Sequence, residues 1–305
     1  MEPPVSESLP FFSVIVPTYG RIDRLADCLE SMTRLDYPSD RFEVIIVDDG
    51  SREPPRALID RFRDRLRLTL LVEPHRGAGA ARNAGARVAR GAFLAFTSDD
   101  CAPAADWLRQ ITLHMASFPG DGVGGVTRVA MPASPGAESW QLLMDYLFSY
   151  YNAEPTRSRF FTPNNLIVAA GGFAAVGGFD PTFVLHAGED RDFCDRWIEH
   201  GLHLTFCADA AVVHTHPHTL GSFLRQQFRY GRGSFVYRQR RRRRLGRSAF
   251  FAPPSFYTGL VRYPLAVRGW SGWPHAVRLV LAQITTASGA LVEWLHGRRA
   301  GDLAG

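Results

Sequence analysis

The sequence predicts an α/β fold: a mostly parallel sheet covered by helices. Three observations predict it. Strand-like apolar runs alternate with helix-like periodicity four times before residue 100. The strands are apolar almost throughout, as strands buried on both faces are. Three of them stop at polar groups, Pro17-Thr18-Tyr19, Asp48-Asp49 and Asp99-Asp100, and in such sheets ligands bind beyond the carboxyl ends of the strands.

Residues 12–16 are an apolar run closed by Pro17, the pattern of a buried strand. Ile22, Leu25, Ala26, Leu29 and Met32 then recur three and four apart, one face of an amphipathic helix. Residues 44–47 form a second strand, ended by Asp48-Asp49-Gly50-Ser51. Pro54 and Pro55 open a helix to about residue 65, and 66–72 is a third strand. A helix over 80–90 is entered through Gly77 and Gly79, and the fourth strand, 92–97, stops at Ser98-Asp99-Asp100.

The second half is less regular. Pro119, Gly120, Gly122, Gly124 and Gly125 read as turns leading to a strand over 126–130, followed by an aromatic-rich helix over 140–151 and a strand over 166–170. Gly171-Gly172 and Gly177-Gly178 mark turns. Asp190, Phe193, Cys194, Trp197 and Ile198 share one helical face, 210–213 is a short strand ending at His214, and 220–235 is helical. Residues 277–295 are mostly apolar, but Arg278, Gln283 and Glu293 leave an uncharged stretch too short for a clean span. Beside the arginine run this suits an interfacial membrane contact; a buried C-terminal helix next to a solvated basic loop suits it equally.

Composition narrows the function classes. A chain of 305 residues with 46% apolar and 21% charged residues can bury a sizeable core. Its net charge of +5 is concentrated, because residues 238–247 hold seven arginines; overall charge does not indicate a nucleic-acid partner. Cys28, Cys101, Cys194 and Cys207 lack metal-ligand or redox spacing, which fits free thiols in a reducing compartment. Residues 1–10 are Pro-rich and acidic, a flexible start rather than a signal peptide, and the expected location is the cytoplasm.

Several residues suit chemistry. Asp48 and Asp49 can accept hydrogen bonds from a base or ribose, and they are also good turn residues. Asp99 and Asp100 suit a hard divalent cation shared with phosphate, or the capping of the next helix. The glycine-rich stretch 77–85 opens a helix and can approach a diphosphate with backbone amides. Glu189-Asp190 opens another, where a carboxylate serves as a general base or complements the helix dipole. His214, His216 and His218 alternate, so all three fall on one side as candidate ligands.

Taken in order, Ser13-Val14-Ile15-Val16-Pro17-Thr18-Tyr19, Val44-Ile45-Ile46-Val47-Asp48-Asp49-Gly50-Ser51, Ala81-Arg82-Asn83-Ala84-Gly85, Phe96-Thr97-Ser98-Asp99-Asp100, Gly177-Gly178-Phe179-Asp180, Glu189-Asp190-Arg191-Asp192 and Val213-His214 resemble the motifs of family 2 glycosyltransferases, which have the GT-A fold and invert the anomeric centre. The resemblance covers about residues 11–235. It implies that Pro17, Thr18, Tyr19, Arg21, Asp49, Arg82 and Asp99 line the nucleotide-sugar site and that Asp48 reads the base, commonly uracil. It implies that Asp100, with His214, holds Mn2+ or Mg2+. Asp190 matches the catalytic base, with Glu189 supporting it, and Asn164, Gly178 and Trp197 lie toward the acceptor. The chain departs from the family at Ser98, where the DxD motif has its first acidic residue.

The implied partners are a nucleotide-sugar donor, a glycan or lipid-linked acceptor, and the inner face of the cell membrane, touched peripherally. The implied division is a catalytic region, 11–235, split near residue 117 into nucleotide and acceptor halves, and a basic, aromatic helical extension, 236–305. An NAD(P)-dependent oxidoreductase would need a glycine fingerprint after the first strand, where Pro17-Thr18-Tyr19 stands. A non-catalytic protein binding at the membrane surface is the remaining alternative, favoured by Ser98 and the arginine run.

Overall fold

A computed structural model describes residues 9–130, 134–183, 187–215, 219–246 and 252–302, with the backbone alone for 297–302. The expected flexible start, apart from residues 9 and 10, lies outside these residues, as do His216 and His218.

The first half alternates as expected: β1 (Phe12–Thr18), α1 (Ile22–Met32), β2 (Phe42–Asp48), α2 (Arg56–Asp60), β3 (Leu68–Val72), α3 (Ala78–Val88), β4 (Phe93–Phe96). Then follow β5 (Cys101–Pro103), α4 (Trp107–Ser117), β6 (Gly122–Val129), α5 (Pro135–Tyr151), β7 (Leu166–Ala169), α6 (Ala170–Val176), α7 (Glu189–Glu199), β8 (Leu204–His214), α8 (Leu220–Leu245), α9 (Pro254–Arg268) and α10 (Trp273–Asp302). The sheet order is β3-β2-β1-β4-β7-β6-β8-β5. The β3-β2-β1-β4 half is parallel; β7 is antiparallel to both neighbours, β6 and β8 are parallel, and β5 is antiparallel to β8.

Side chains alternate across a strand, so a sheet covered on both faces needs apolar residues at every position. Ile15, Ile45, Val47, Leu94 and Phe96 enter one core, with Trp140, Phe179 and Trp197. Their neighbours Val14, Val16, Val44, Ile46 and Ala95 enter the other, with Leu25, Leu29 and Trp107.

The structure corrects several expectations. Gly122, Gly124 and Gly125 lie inside β6, not in turns. A Cβ there would strike the Leu204 side chain, the Phe161 ring and the Ala210 carbonyl, so close packing, not chain reversal, requires glycine. Gly171 and Gly172 lie within α6, where Gly172 faces the Trp197 ring. The helix expected to reach residue 65 ends at Asp60 and continues as turns. The basic run is not a loop: α8 passes unbroken through residue 235 and into it. Acidic partners hold it there, Asp180 to Arg240, Asp195 to Arg241, and Asp192 and Glu199 to Arg244. By length and composition alone, the stretch Pro254–His296 is long and apolar enough to cross a membrane, longer than the uncharged run suggests.

Candidate active site

Because β1, β2, β4 and β8 point the same way, their carboxyl ends share one edge of the sheet. Thr18 pairs with Asp48 there. The chain leaving β4 turns through Ser98, Asp99 and Asp100 into β5, whose Cys101 pairs with His214 at the end of β8. Strand order therefore brings Asp100 and His214 together from positions 114 residues apart in the chain.

On one side of this edge, Asp48 is fully buried. Its Oδ2 accepts from Ser51 N (3.1 Å), and its Oδ1 has no hydrogen-bond partner among the described residues. A buried acceptor in that state favours a donor from a ligand. Asp49 differs: its oxygens accept from Arg76 N and Gly77 N (2.9 Å each), tethering the loop that enters α3. It is buried and shapes the site through that loop. Tyr19 is half exposed and stacks on His75 with centroids 4.3 Å apart. His75 was not singled out from the sequence, where nothing but its proximity to Gly77 marks it. Pro17 lies within β1, its side chain in the buried sheet.

At the centre, Thr18 Oγ1 donates to Asp99 Oδ2 (2.8 Å). Arg21 bridges the acidic pair, with Nη2 2.7 Å from Asp99 Oδ1 and Nη1 3.0 Å from Asp100 Oδ2; Arg24, also not anticipated, approaches Asp100 (3.8 Å). Burial pushes the Asp99 carboxyl up to about 6 although Arg21 opposes this. His214 Nε2 is 3.5 Å from Asp100 Oδ1, and its ring stacks on Trp140 (5.0 Å). Ligand atoms of Asp100, Cys101 and His214 lie within 4.8 Å of one another, a carboxylate, thiol and imidazole set compact enough for one divalent ion.

Across from these, α7 starts at Gly188, whose φ of 92° lets the chain turn sharply into Glu189. Glu189 is buried; desolvation and its neighbour Asp190 push its carboxyl up to about 7, against Arg82. Arg82 Nη1 lies 3.7 Å from Glu189 Oε1, and the guanidinium sits over Phe179 (5.6 Å). Burial lowers its affinity for the proton, with Glu189 and Asp190 opposing. Burial also raises the Asp190 carboxyl, while Arg191 and its own N–H, 2.8 Å from Asp190 Oδ1, pull it down. Arg191 is held between Tyr151 and Phe160 (4.4 and 4.3 Å); sequence alone shows only that it follows Asp190. On α8, desolvation raises the Tyr230 hydroxyl, and the charges of Asp190, Glu189 and Asp100 add to this.

The acceptor-side expectations divide. Asn164 is half-buried at the strand edge, its carbonyl accepting from Thr97 Oγ1 (3.0 Å) and its Oδ1 from Thr162. Gly178 has φ 67° and abuts Asn83, which clamps Phe179 through both its side-chain atoms (2.6 and 2.9 Å). Trp197 is a correction: it is 0% exposed, donates to the His203 carbonyl (2.8 Å) and fills the core behind the sheet, so it offers no surface to an acceptor.

Comparison with known proteins gives the family and the fold. The model of the family described as "Glycosyl transferase family 2" matches residues 13–176, and that of "Glycosyl transferase family group 2" matches 95–290. Glycosyltransferase AglE of Haloferax volcanii is 32% identical over 75% of this chain and 74% of its own. Validoxylamine A glucosyltransferase of Streptomyces hygroscopicus subsp. jinggangensis is 27% identical over 71% of this chain, which spans 58% of that relative. Among solved structures, mannosyltransferase PcManGT from Pyrobaculum calidifontis, in complex with GDP-Man and Mn2+, superposes with a TM-score of 0.61, 21% identity and coverage of 97% of this chain and 80% of its own. TarS 1-349 of S. aureus gives 0.57, 19% identity and coverage of 95% and 92%. The fold is that of GT-A glycosyltransferases, and the protein belongs to glycosyl transferase family 2.

Proposed function

We propose that this glycosyltransferase moves a sugar from a UDP-sugar to a hydroxyl on a glycan or lipid-linked glycan precursor, with inversion and with Mn2+ or Mg2+. The observation that carries the reading is the Asp100–His214 approach at the strand edge that also holds the unpartnered Asp48 oxygen. Asp48 accepts a hydrogen bond from the base, and Thr18, Tyr19, Arg21 and Asp99 surround the nucleoside and diphosphate. Asp100 and His214 would hold the cation, which would offset charge on the departing diphosphate; the PcManGT neighbour is in complex with Mn2+.

Asp190 takes the proton of the acceptor hydroxyl as that oxygen attacks the anomeric carbon. A base must be ionised; burial raises the Asp190 carboxyl, and the first turn of α7, Arg191 and the N–H at 2.8 Å oppose that rise. Glu189, pushed up to about 7, gives up its own charge more readily and so spares Asp190 a like-charge neighbour. Residues 236–305 make peripheral contact with the inner face of the cell membrane.

The test is thermal stabilisation by nucleoside diphosphates with and without Mn2+ or Mg2+. A metal-dependent rise with UDP is expected, abolished in Asp100→Asn. A rise with GDP instead corrects the donor. No rise with any nucleotide sinks the enzymatic reading in favour of a non-catalytic surface protein.

A further inference from the structure

α8 and α10 run antiparallel in close contact. A Cβ at Gly231 would strike the Thr286 carbonyl, and one at Gly289 the Phe228 carbonyl, so backbone approaches backbone. This packing uses one side of α10, burying Ala276, Leu279, Ala282 and Gly289. The opposite side is exposed, and its residues recur at three and four: Trp273, Val277, Val280, Leu281, Ile284, Ala287, Ser288, Leu291, Leu295. The stripe contains no charge, and Ile284, at its middle, is 58% exposed. At about 1.5 Å per residue it extends roughly 30 Å. Arg278 and Glu293 lie on its flanks, Glu293 paired with Arg232 (2.7 Å).

One end of the stripe is aromatic and basic. Trp270 is 91% exposed in the turn before α10, and Arg268 beside it is exposed and paired with Glu138 (2.8 Å). The antiparallel register places the C-terminal end of α8 at this end. Arg240, Arg241 and Arg244 are spent on acidic partners, but Arg242 and Arg243 are exposed and have no carboxylate partner among the described residues. Residues 236–305 hold twelve arginines against Glu293 and Asp302, whereas the whole chain is +5, so residues 1–235 are net negative.

We infer that the exposed face of α10 lies flat in the headgroup region of an anionic lipid bilayer, with Trp270, Trp273, Arg242 and Arg243 at its margin. A long apolar face edged by tryptophan and arginine is the pattern of a helix lying in the interface. The helix does not span, because its other side is committed to α8. The excess positive charge selects an anionic surface over a second copy of this chain, whose equally basic extension would repel it. The inference rests on the peripheral contact proposed for residues 236–305 and assigns the face that makes it. It also has a consequence for the acceptor. Gly233 of α8 abuts the Ala187 carbonyl, two residues before Glu189, while Gly231 abuts α10. Two helices, α10 and then α8, roughly 20 Å together, therefore separate the bilayer face from the α7 entrance, a distance that an extended lipid-linked acceptor spans.

Sedimentation of the full chain with vesicles of phosphatidylcholine, with and without phosphatidylglycerol, tests this. Binding is expected to the anionic vesicles, with brominated lipid quenching tryptophan emission. The paired Val280→Glu, Ile284→Glu substitution should weaken binding roughly tenfold or more with thermal stability and UDP binding unchanged, since both sites are solvent-facing. Arg242→Glu with Arg243→Glu should weaken it by a similar factor. Binding lost in the arginine variant but kept in the α10 variant leaves a membrane contact and overturns this face. No binding to either vesicle overturns both. A dimer in solution that the α10 substitutions dissociate, without vesicle binding, overturns the inference in favour of a second copy.

Discussion

Arg82 and Glu189 meet inside the site, Nη1 to Oε1 3.7 Å, with both side chains almost sealed from water. They come from α3 and α7, 107 positions apart, and no other carboxylate is paired with Arg82 at ion-pair distance among the described residues. The contact is longer than a hydrogen bond, so it neutralises charge without consuming the last donor positions of Arg82, whose Nε and Nη1 remain without hydrogen-bond partners.

The pair makes stability depend on pH. Glu189 titrates at about 7 in the fold against a reference of 4.5, because burial and Asp190 disfavour its charge. The native state then binds the extra proton, so stability is fullest below about 4.5 and falls as pH rises toward 7, by up to roughly 3 kcal/mol. Glu189→Gln should flatten this decline. Unfolding temperatures measured across the interval decide it, and an unchanged slope in the variant assigns the titration to another group.

Asp190→Asn should retain donor binding and lose transfer by about 10²–10⁴-fold, the usual contribution of a general base. Thermal shift with UDP and a transfer assay on the same preparation separate the two. Full activity removes Asp190 as the base.

Gly233→Ala should disturb catalysis from outside the site. Its Cβ meets the Ala187 backbone, which cannot swing aside as a side chain would, and the displaced strand of chain leads into Gly188 and Glu189. Overpacking of this kind costs about 1–3 kcal/mol, and kcat should fall with little change in nucleotide affinity. Gly221→Ala on the same helix would meet only the far end of the Arg225 side chain, at an ordinary 3.8 Å, and should stabilise by about 0.5–1 kcal/mol. Equal effects at the two positions would show that helix propensity, not the Ala187 contact, is being measured.

Asn165→Ala should destabilise by roughly 3 kcal/mol. The buried amide donates to the Val126 and Ala210 carbonyls (3.0 and 2.9 Å) and accepts from Trp107 Nε1 (2.9 Å), joining β6, β8 and α4. Its loss leaves three polar atoms without partners. Urea denaturation measures the change, and a loss below 1 kcal/mol would mean that water replaces the amide.

The strands of the nucleotide half were readable in residues 12–97 because a sheet buried on both faces tolerates little but apolar side chains, and that constraint is written locally. The places where those strands stop, at Asp48 and at Asp99 and Asp100, were readable for the same reason. So was the helix that starts at Glu189, whose buried face repeats at Phe193, Cys194 and Trp197.

Periodicity carries no information about what lies opposite. Gly122, Gly124 and Gly125 read as turns because the Phe161 ring and Ala210 carbonyl that demand them are distant in the chain. Trp197 read as an acceptor residue because nothing local says that its ring meets Gly172. The arginines of α8 read as solvated because Asp180, Asp192 and Asp195, which hold three of them, lie about 45 to 60 positions earlier. Local spacing thus settled which residues are strands, helices and strand ends, since backbone geometry repeats over a few residues. Long-range packing settled which carboxylates keep their charge, which arginines remain available, and which face of α10 is left uncovered, since burial and field depend on every neighbour at once.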